Sequence, residues 1–234
     1  MKLTYVLNSG FVLEAATATI VFDFFRDTDD GFVSRRLTSF AGRLYVLASH
    51  WHPDHFRRDV LQWRRQRSDI SYIFSRDIKR LAQTDDVHYI EKGQTWTDDT
   101  LCIKAFGSTD VGVSFLVEIE GKRIFHAGDL NNWHWKDEST EAEVRESEDW
   151  FLREVDDLRR ETGKVDVAIF PVDPRQGTDY MLGAEQFVER IKCGLFVPAH
   201  FGDNYAAAQA FRPFAEHAGC RFANITAQGA EFEI

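Results

Sequence analysis

The sequence predicts an α/β (α+β) chain folded as a four-layer αββα sandwich, and three observations lead there. Each half opens with strand-like runs and continues in strand–helix alternation. Neither half contains a low-complexity linker or a short-period repeat, so residues 1–234 read as a single domain. An apolar content of 44% across 234 residues is ample for a substantial core. Two such halves pack as two central sheets with helices outside.

Residues 3–7, 10–14 and 19–24 read as strands, with a turn at Asn8-Ser9-Gly10, and suggest an antiparallel meander. Residues 43–48 form a short apolar run of the buried-strand type, ending just before His50. A helix over 56–66, a strand over 70–74 and a short helix over 76–82 complete the first half. Strands over 101–106, 113–119 and 123–126 open the second, the last two joined at Glu120-Gly121-Lys122 as a hairpin. From 139 to about 161 the chain predicts a long charged helix. Its apolar positions Val144, Phe151, Val155 and Leu158 recur at spacings of seven, four and three, which buries one narrow face. Strand 165–170, helix 184–192, strand 195–198, helix 205–217 and strand 221–224 then alternate.

Charge and cysteine usage narrow the function classes. With 38 acidic against 28 basic residues, the formal charge of -10 repels a phosphate backbone, which disfavours nucleic acid as a partner. Arg57, Arg58, Arg64, Arg65 and Arg67 do make a basic stretch, read as the solvated face of a helix carrying Val60, Leu61 and Trp63 inward. Cys102, Cys193 and Cys220 are widely spaced and lack a C-x-x-C pair. Neither a disulfide framework nor a thiolate zinc site is indicated, and a reducing cytoplasm is expected. The run Met1 to Leu7 is too short and too polar for a signal peptide. No segment approaches the ~20 apolar residues that span a bilayer.

The chemistry concentrates in Ser49-His50-Trp51-His52-Pro53-Asp54-His55. Imidazole and carboxylate are ligands for zinc and similar divalent ions, and the H-x-H-x-D-H spacing can aim side chains at two adjacent metal positions. One intervening residue lets His50 and His52 project to the same side of an extended segment, while Asp54 and His55 follow a turn at Pro53. Further ligands must come from elsewhere. Asp129 ends the run Ile124-Phe125-His126-Ala127-Gly128-Asp129, where Gly128 permits close backbone approach, and His200 ends Phe196-Val197-Pro198-Ala199-His200. A strand-end Asp or His alone is more often a cap or a satisfied polar residue; three strand ends carrying metal-type residues are harder to dismiss.

With these residues assembled, the chain resembles the metallo-β-lactamase-fold hydrolases from the Asn8 region through to His200, including Phe22-Asp23 after the opening strands. The resemblance implies the αββα sandwich reached above. It also implies that His50 and His52 bind a first metal, that Asp54, His55 and His200 bind a second, and that Asp129 bridges them. The family's third histidine for the first metal is missing: the corresponding loop reads Gly107-Ser108-Thr109-Asp110. Three readings follow. Asp110, favoured by position, replaces the imidazole in a harder, oxygen-rich site; or His134 swings in from another loop; or a single tight metal sits at Asp54, His55, Asp129 and His200. One or two divalent ions are expected, Zn2+ first, with Mn2+ or Fe2+ suited to a harder site.

The resemblance further implies a hydrolase in which Asp54 ligates and orients a metal-activated water. No G-x-S-x-G motif supports a serine mechanism. Arg175, in the Pro-framed stretch 170–181, is the candidate clamp for a substrate phosphate or carboxylate, against a plain salt bridge to a neighbouring acid. Trp133 and Trp135 are candidates for an apolar pocket wall or for anchors of their loop. Within the family, the compact size and the His126 to Asp129 and Pro198 to His200 runs look most similar to the ascorbate-6-phosphate lactonase-like branch. That implies a small anionic substrate with a lactone or phosphoester bond. The alternatives are a nuclease or phosphodiesterase, drawing on the arginines at 57–67, and a non-catalytic metal-binding module with a degraded first site.

Overall fold

The computed structural model describes residues 1–234. Strands β1 (Lys2–Leu7), β2 (Gly10–Glu14) and β3 (Ala18–Phe22) form the expected antiparallel meander, and Asn8 adopts a left-handed φ of 54° to close the first turn. Their side chains alternate between two interiors. Leu3, Tyr5, Phe11, Leu13, Ile20 and Phe22 face one core, while Val6, Val12 and Val21 face another, so both sides of the sheet are dry and the strands read as nearly continuous apolar runs. The chain then turns parallel: β4 (Arg43–Ala48), β5 (Ile70–Ser75) and β6 (His88–Ile90) extend the sheet beyond β3. Helices α1 (Phe32–Arg36) and α2 (Lys79–Ala82) belong to the connections of this half.

The second half repeats the plan. Strands β7 (Thr95–Thr97), β8 (Leu101–Phe106), β9 (Ser114–Ile119) and β10 (Lys122–His126) pair antiparallel. Positive φ at both Glu120 and Gly121 gives the β9–β10 hairpin its type I′ turn. Strands β11 (Lys164–Pro171), β12 (Lys192–Ala199) and β13 (Arg221–Phe222) then add parallel to β10. Over them pack α3 (Glu141–Glu161), α4 (Leu182–Arg190) and α6 (Arg212–His217), while α5 (Tyr205–Gln209) sets Ala208 against the core between the sheets, and β14 (Glu231–Glu233) returns to pair with β1. A cluster of 29 buried residues fills the space between the two seven-stranded sheets, and clusters of 21 and 19 lie under the outer helices. Three cores between four layers is the αββα sandwich.

Several expectations are corrected. The segment read as a helix over 56–66 is a 3-10 helix, Arg58–Arg65, that buries Val60 and Trp63 while Leu61 is only half-buried. Three of the five arginines of this stretch are engaged, and Arg58 and Arg65 are exposed without an ion pair. Arg57 pairs with Asp59, Arg64 with Asp86 and the face of Tyr72, and Arg67 with Asp69 and the carbonyls of Leu37, Phe40 and Gly42. The helix read over 205–217 breaks into α5 and α6, with Pro213 in the first turn of the second. Strand β3 stops at Phe22, because Asp23 turns left-handed at φ 42°. Short α1, β6, β7 and β14 carried too little periodicity to be read.

Helix α3 follows the sequence closely: Phe151, Val155 and Leu158 are buried, Val144 half-buried, and Thr140 with Glu143 forms a capping box at its start. Buried Glu154 on the same face accepts from Lys92 Nζ at 2.6 Å. No helix is long and apolar enough to cross a membrane. Cys102, Cys193 and Cys220 are free thiols.

Gly112 fixes the relation between the two sheets at one end. Its φ of +78° and a hypothetical Cβ only 2.1 Å from the Ser49 carbonyl leave no room for a side chain. This lets Val113 N donate to Ser49 O at 2.9 Å, tying the β8–β9 loop to the end of β4. Gly112→Ala is therefore expected to destabilise the protein by about 2–4 kcal/mol in urea denaturation; an unchanged midpoint would contradict this packing.

Candidate metal centre

The chemistry-bearing residues gather where strands from both sheets end. Asp23 follows β3, Ser49 to His55 follow β4, Asp129 lies three residues beyond β10, and Asp173 and His200 follow β11 and β12. Parallel strands deliver their C-terminal ends to one edge, which is where α/β sheets place their sites. The β8–β9 loop, held against Ser49, brings Asp110 to the same place. Two groups result: His50, His52, Asp110 and Asp129 have ligand atoms within 4.8 Å of one another, as do Asp54, His55 and His200.

Asp129 joins them. Its Oδ1 lies 3.0 Å from His55 Nε2 and 3.3 Å from His200 Nε2, and its Oδ2 lies 3.5 Å from His50 Nε2. Asp54 Oδ2 is 3.4 Å from His200 Nε2 and accepts from Asn8 Nδ2 at 3.1 Å. On the other side, His52 Nδ1 stands 3.0 Å from His50 Nε2 and 3.2 Å from Asp110 Oδ2. The structure thus brings together all seven residues read from the sequence as ligands, Asp110 among them. His134 is elsewhere engaged: its Nδ1 accepts from Lys136 N, and its Nε2 meets the Asp179 carbonyl at 3.2 Å.

The outward-facing ring nitrogens explain why the inner ones are free. His55 Nδ1 donates to Asp23 Oδ2 at 2.7 Å, and His200 Nδ1 donates to Asp173 Oδ2 at 3.1 Å. Ser49 Oγ donates to Asp23 at 2.6 Å and so accepts from His50 Nδ1 at 3.0 Å. His55 and His200 then turn Nε2 inward toward Asp129, and His50 turns its Nε2 toward His52 Nδ1, the carboxylate–histidine arrangement that orients metal ligands. His55 Nε2, His200 Nε2 and Asp129 Oδ1 are buried and make no hydrogen bond. Three orphaned polar atoms converging on one point are costly unless a cation is the partner. A donor set of imidazole nitrogen and carboxylate oxygen, without thiolate, fits zinc or a harder divalent ion.

Without a cation, the acids and imidazoles of the cluster hold one another's charge, and a bound ion would displace the proton that His200 keeps. Burial alone would raise the Asp129 and Asp54 carboxyls, but the facing His200 and His55 imidazoles hold both well below the usual carboxylate range. Burial, reinforced by His55, pushes His50 down to about 4, leaving a neutral ring at physiological pH. His200 goes the other way, to about 9, because Asp129, Asp173 and Asp54 outweigh its burial. Asp110, raised by burial and by Asp129, shares the negative charge of the first group.

Arg175 does not stand free. Its Nε and Nη2 fork onto the Asp173 carboxylate at 2.6–3.0 Å, so the guanidinium steadies the acid that orients His200. It still lines a cavity of about 420 Å³ over the cluster, which Trp133 and Trp135 line as well. Trp133 serves both roles read for it: its indole N–H donates to the Asp129 carbonyl at 2.8 Å, and its ring lines that cavity. Asp23, Ser49, Asp173 and Asn8 were not read as site residues. The signal for Asp23 is local, since it directly follows an apolar strand, whereas Asp173 stands two residues beyond its strand and ahead of a proline.

A family model described as a β-lactamase superfamily domain matches residues 2–145, which include the H-x-H-x-D-H run and Asp129. A metal-dependent hydrolase from Natranaerobius thermophilus is 26% identical over 214 residues, covering 86% of this chain and 83% of that protein. Among solved structures, a metallo hydrolase from Ignicoccus hospitalis superposes with a TM-score of 0.70 at 19% identity, over 100% of this chain and 98% of that one. The metallo-β-lactamase fold protein YhfI from Bacillus subtilis gives 0.67 at 12% identity, over 100% and 98%. At such identities these two structures speak for the fold.

Two variants separate the readings of the third ligand. Asp110→Ala is expected to lower bound zinc by about one ion per chain in elemental analysis, while His134→Ala keeps the wild-type content; the reverse pattern would reassign the ligand. Asp23→Asn, which disturbs the Nδ1 partners of both groups, should weaken metal binding by about 10–100-fold in competition with a chelator. Unchanged affinity would show that Asp23 does not orient the rings.

Proposed function

The chain belongs to the metallo-β-lactamase-fold hydrolase superfamily, whose members include metal-dependent hydrolases, and from that premise we propose that it hydrolyses a small anionic molecule at a lactone or phosphoester bond. The observation that carries this reading is the convergence of His55 Nε2, His200 Nε2 and Asp129 Oδ1, buried and unpaired, beside an open cavity. The residues in position to hold the ions are His50, His52, Asp110 and Asp129 for one, and Asp54, His55, His200 and Asp129 for the other. Divalent ions bound there acidify a water and polarise the bond under attack.

The chain's own residues supply the rest. Asp54, partly open to the cavity and held by Asn8, is the carboxylate placed to orient an attacking water and take up its proton. Asp173 and Arg175 keep His200 aimed, and Asp23 does the same for His55 directly and for His50 through Ser49. Trp133 and Trp135 form an apolar wall that limits water and favours a substrate with a hydrophobic side. Zinc is our first choice of ion. A reducing, cytoplasmic setting is our reading of the cysteine spacing, and the net charge of -10, with Arg57, Arg64 and Arg67 held by acids or carbonyls, favours a small-molecule substrate over nucleic acid.

Metal-loaded protein assayed on lactone and phosphoester panels should turn over at least one class. His52→Ala or Asp129→Ala should lose metal and at least about 100-fold in kcat/KM together. Full activity in a metal-stripped sample would overturn the proposal.

A further inference from the structure

A second cavity, of about 630 Å³, opens on the Asp54, Arg175 and His200 edge of the cluster. Its remaining walls include Asn8, Phe25, Arg26 and Asp203. Because Asp54, Arg175 and His200 also line the cavity under the two tryptophans, the two spaces meet at the metal centre. Asp23 carries the chain to this second cavity. Its left-handed φ of 42° ends β3 and swings Phe24, Phe25 and Arg26 over the sheet edge.

The charges around this cavity are nearly all committed. Asp173 receives Arg175 and His200, and Asp54 belongs to the cluster. Along the same loop, Asp27 accepts from the backbone of Thr28, Val33 and Ser34, and Asp30 pairs with Arg35. Arg26 makes no hydrogen bond, ion pair or aromatic contact, although the chain carries 38 acidic residues. Asp203 on the same cavity is not bridged to it. An exposed guanidinium left unpaired on the wall of a cavity that reaches Asp54 and His200 is free to receive an oxyanion from outside the protein. Arg175, by contrast, has two of its three nitrogens on Asp173.

We propose that Arg26 is a specificity-determining residue that binds a carboxylate or phosphate group carried by the substrate at a distance from the scissile bond. This rests on the hydrolytic reading of the site and moves the anion-recognition role from Arg175 to Arg26. The acyl or phosphoryl group lies at Asp54 and His200, and the anionic tail extends past Phe25 to the guanidinium. A substrate with one charged end and a hydrolysable bond further along therefore fits better than a neutral ester.

Binding of two stable amides by calorimetry to the zinc-loaded protein tests this without requiring turnover. N-phenylsuccinamic acid carries a carboxylate, and acetanilide shares its ring but lacks the charge. The wild type is expected to bind the acid about tenfold more tightly, Arg26→Ala to lose that preference, Arg26→Lys to keep part of it, and Arg26→Glu to invert it. Arg26 is exposed and makes no hydrogen bond or ion pair, so the variants should melt at the wild-type temperature and hold the wild-type zinc content. A preference that persists in Arg26→Ala, as it would if the carboxylate bound the metal alone, overturns the proposal, as does no preference in the wild type. If the preference behaves as expected but no ester, lactone or phosphoester is turned over, the hydrolytic reading fails and the anion subsite stands.

Discussion

Asp23 is the constraint on which the centre depends. Its carboxylate is buried at the junction of the two sheets, where an unpaired charge would cost several kcal/mol. It is accommodated by the Ser49 amide at 2.7 Å, the Ser49 hydroxyl at 2.6 Å and His55 Nδ1 at 2.7 Å. Three hydrogen bonds to a charged acceptor offset that penalty. The same bonds set the tautomer and aim of His55, and through Ser49 those of His50. One side chain therefore couples the two ligand groups before any ion is bound, and it does so from the first sheet alone.

The backbone around it is correspondingly unusual. Asp23 and His200 occupy left-handed conformations without being glycine, at φ 42° and 59°, and Gly112 and Gly128 approach Ser49 too closely to carry a side chain. Strain at non-glycine positions, of the order of 1–3 kcal/mol each, persists only where neighbours enforce it. Here the neighbours are the hydrogen-bonded acids and the inter-sheet core. His200 N reaches back to the Asn8 carbonyl, and Asn8 in turn holds Asp54, so the late histidine and the early turn fix each other across the sandwich. Rigidity at the cluster and openness on both sides of it suit a site that holds ligands fixed while admitting a substrate.

Much of this was legible in the sequence because it rests on local patterns. Strand β4 could be read as apolar and buried, and its exit into H-x-H-x-D-H marked the site. Asp129 and His200 were legible for the same reason, each ending an apolar strand. The layered fold followed from strand–helix alternation. Other features depend on distance in the chain. Nothing local distinguishes Asp173, which orients His200, from any acid before a proline, and the fork of Arg175 onto Asp173 shows only once the loop is folded. That Asp110 rather than His134 stands beside His52 rests on Gly112 packing against Ser49, a contact between residues 63 positions apart in sequence. The 3-10 geometry of Arg58–Arg65 and the break between α5 and α6 lie below what periodicity resolves.

The central claim is that one carboxylate, Asp129, spans two adjacent metal positions. An anomalous-difference map from zinc-soaked crystals, collected on both sides of the zinc absorption edge, tests it most directly. Two peaks are expected, one among His50, His52, Asp110 and Asp129, the other among Asp54, His55, His200 and Asp129, with one Asp129 oxygen directed at each. A map with a peak at only one of these positions or at neither, or with zinc bound only at residues remote from Asp129, would contradict it.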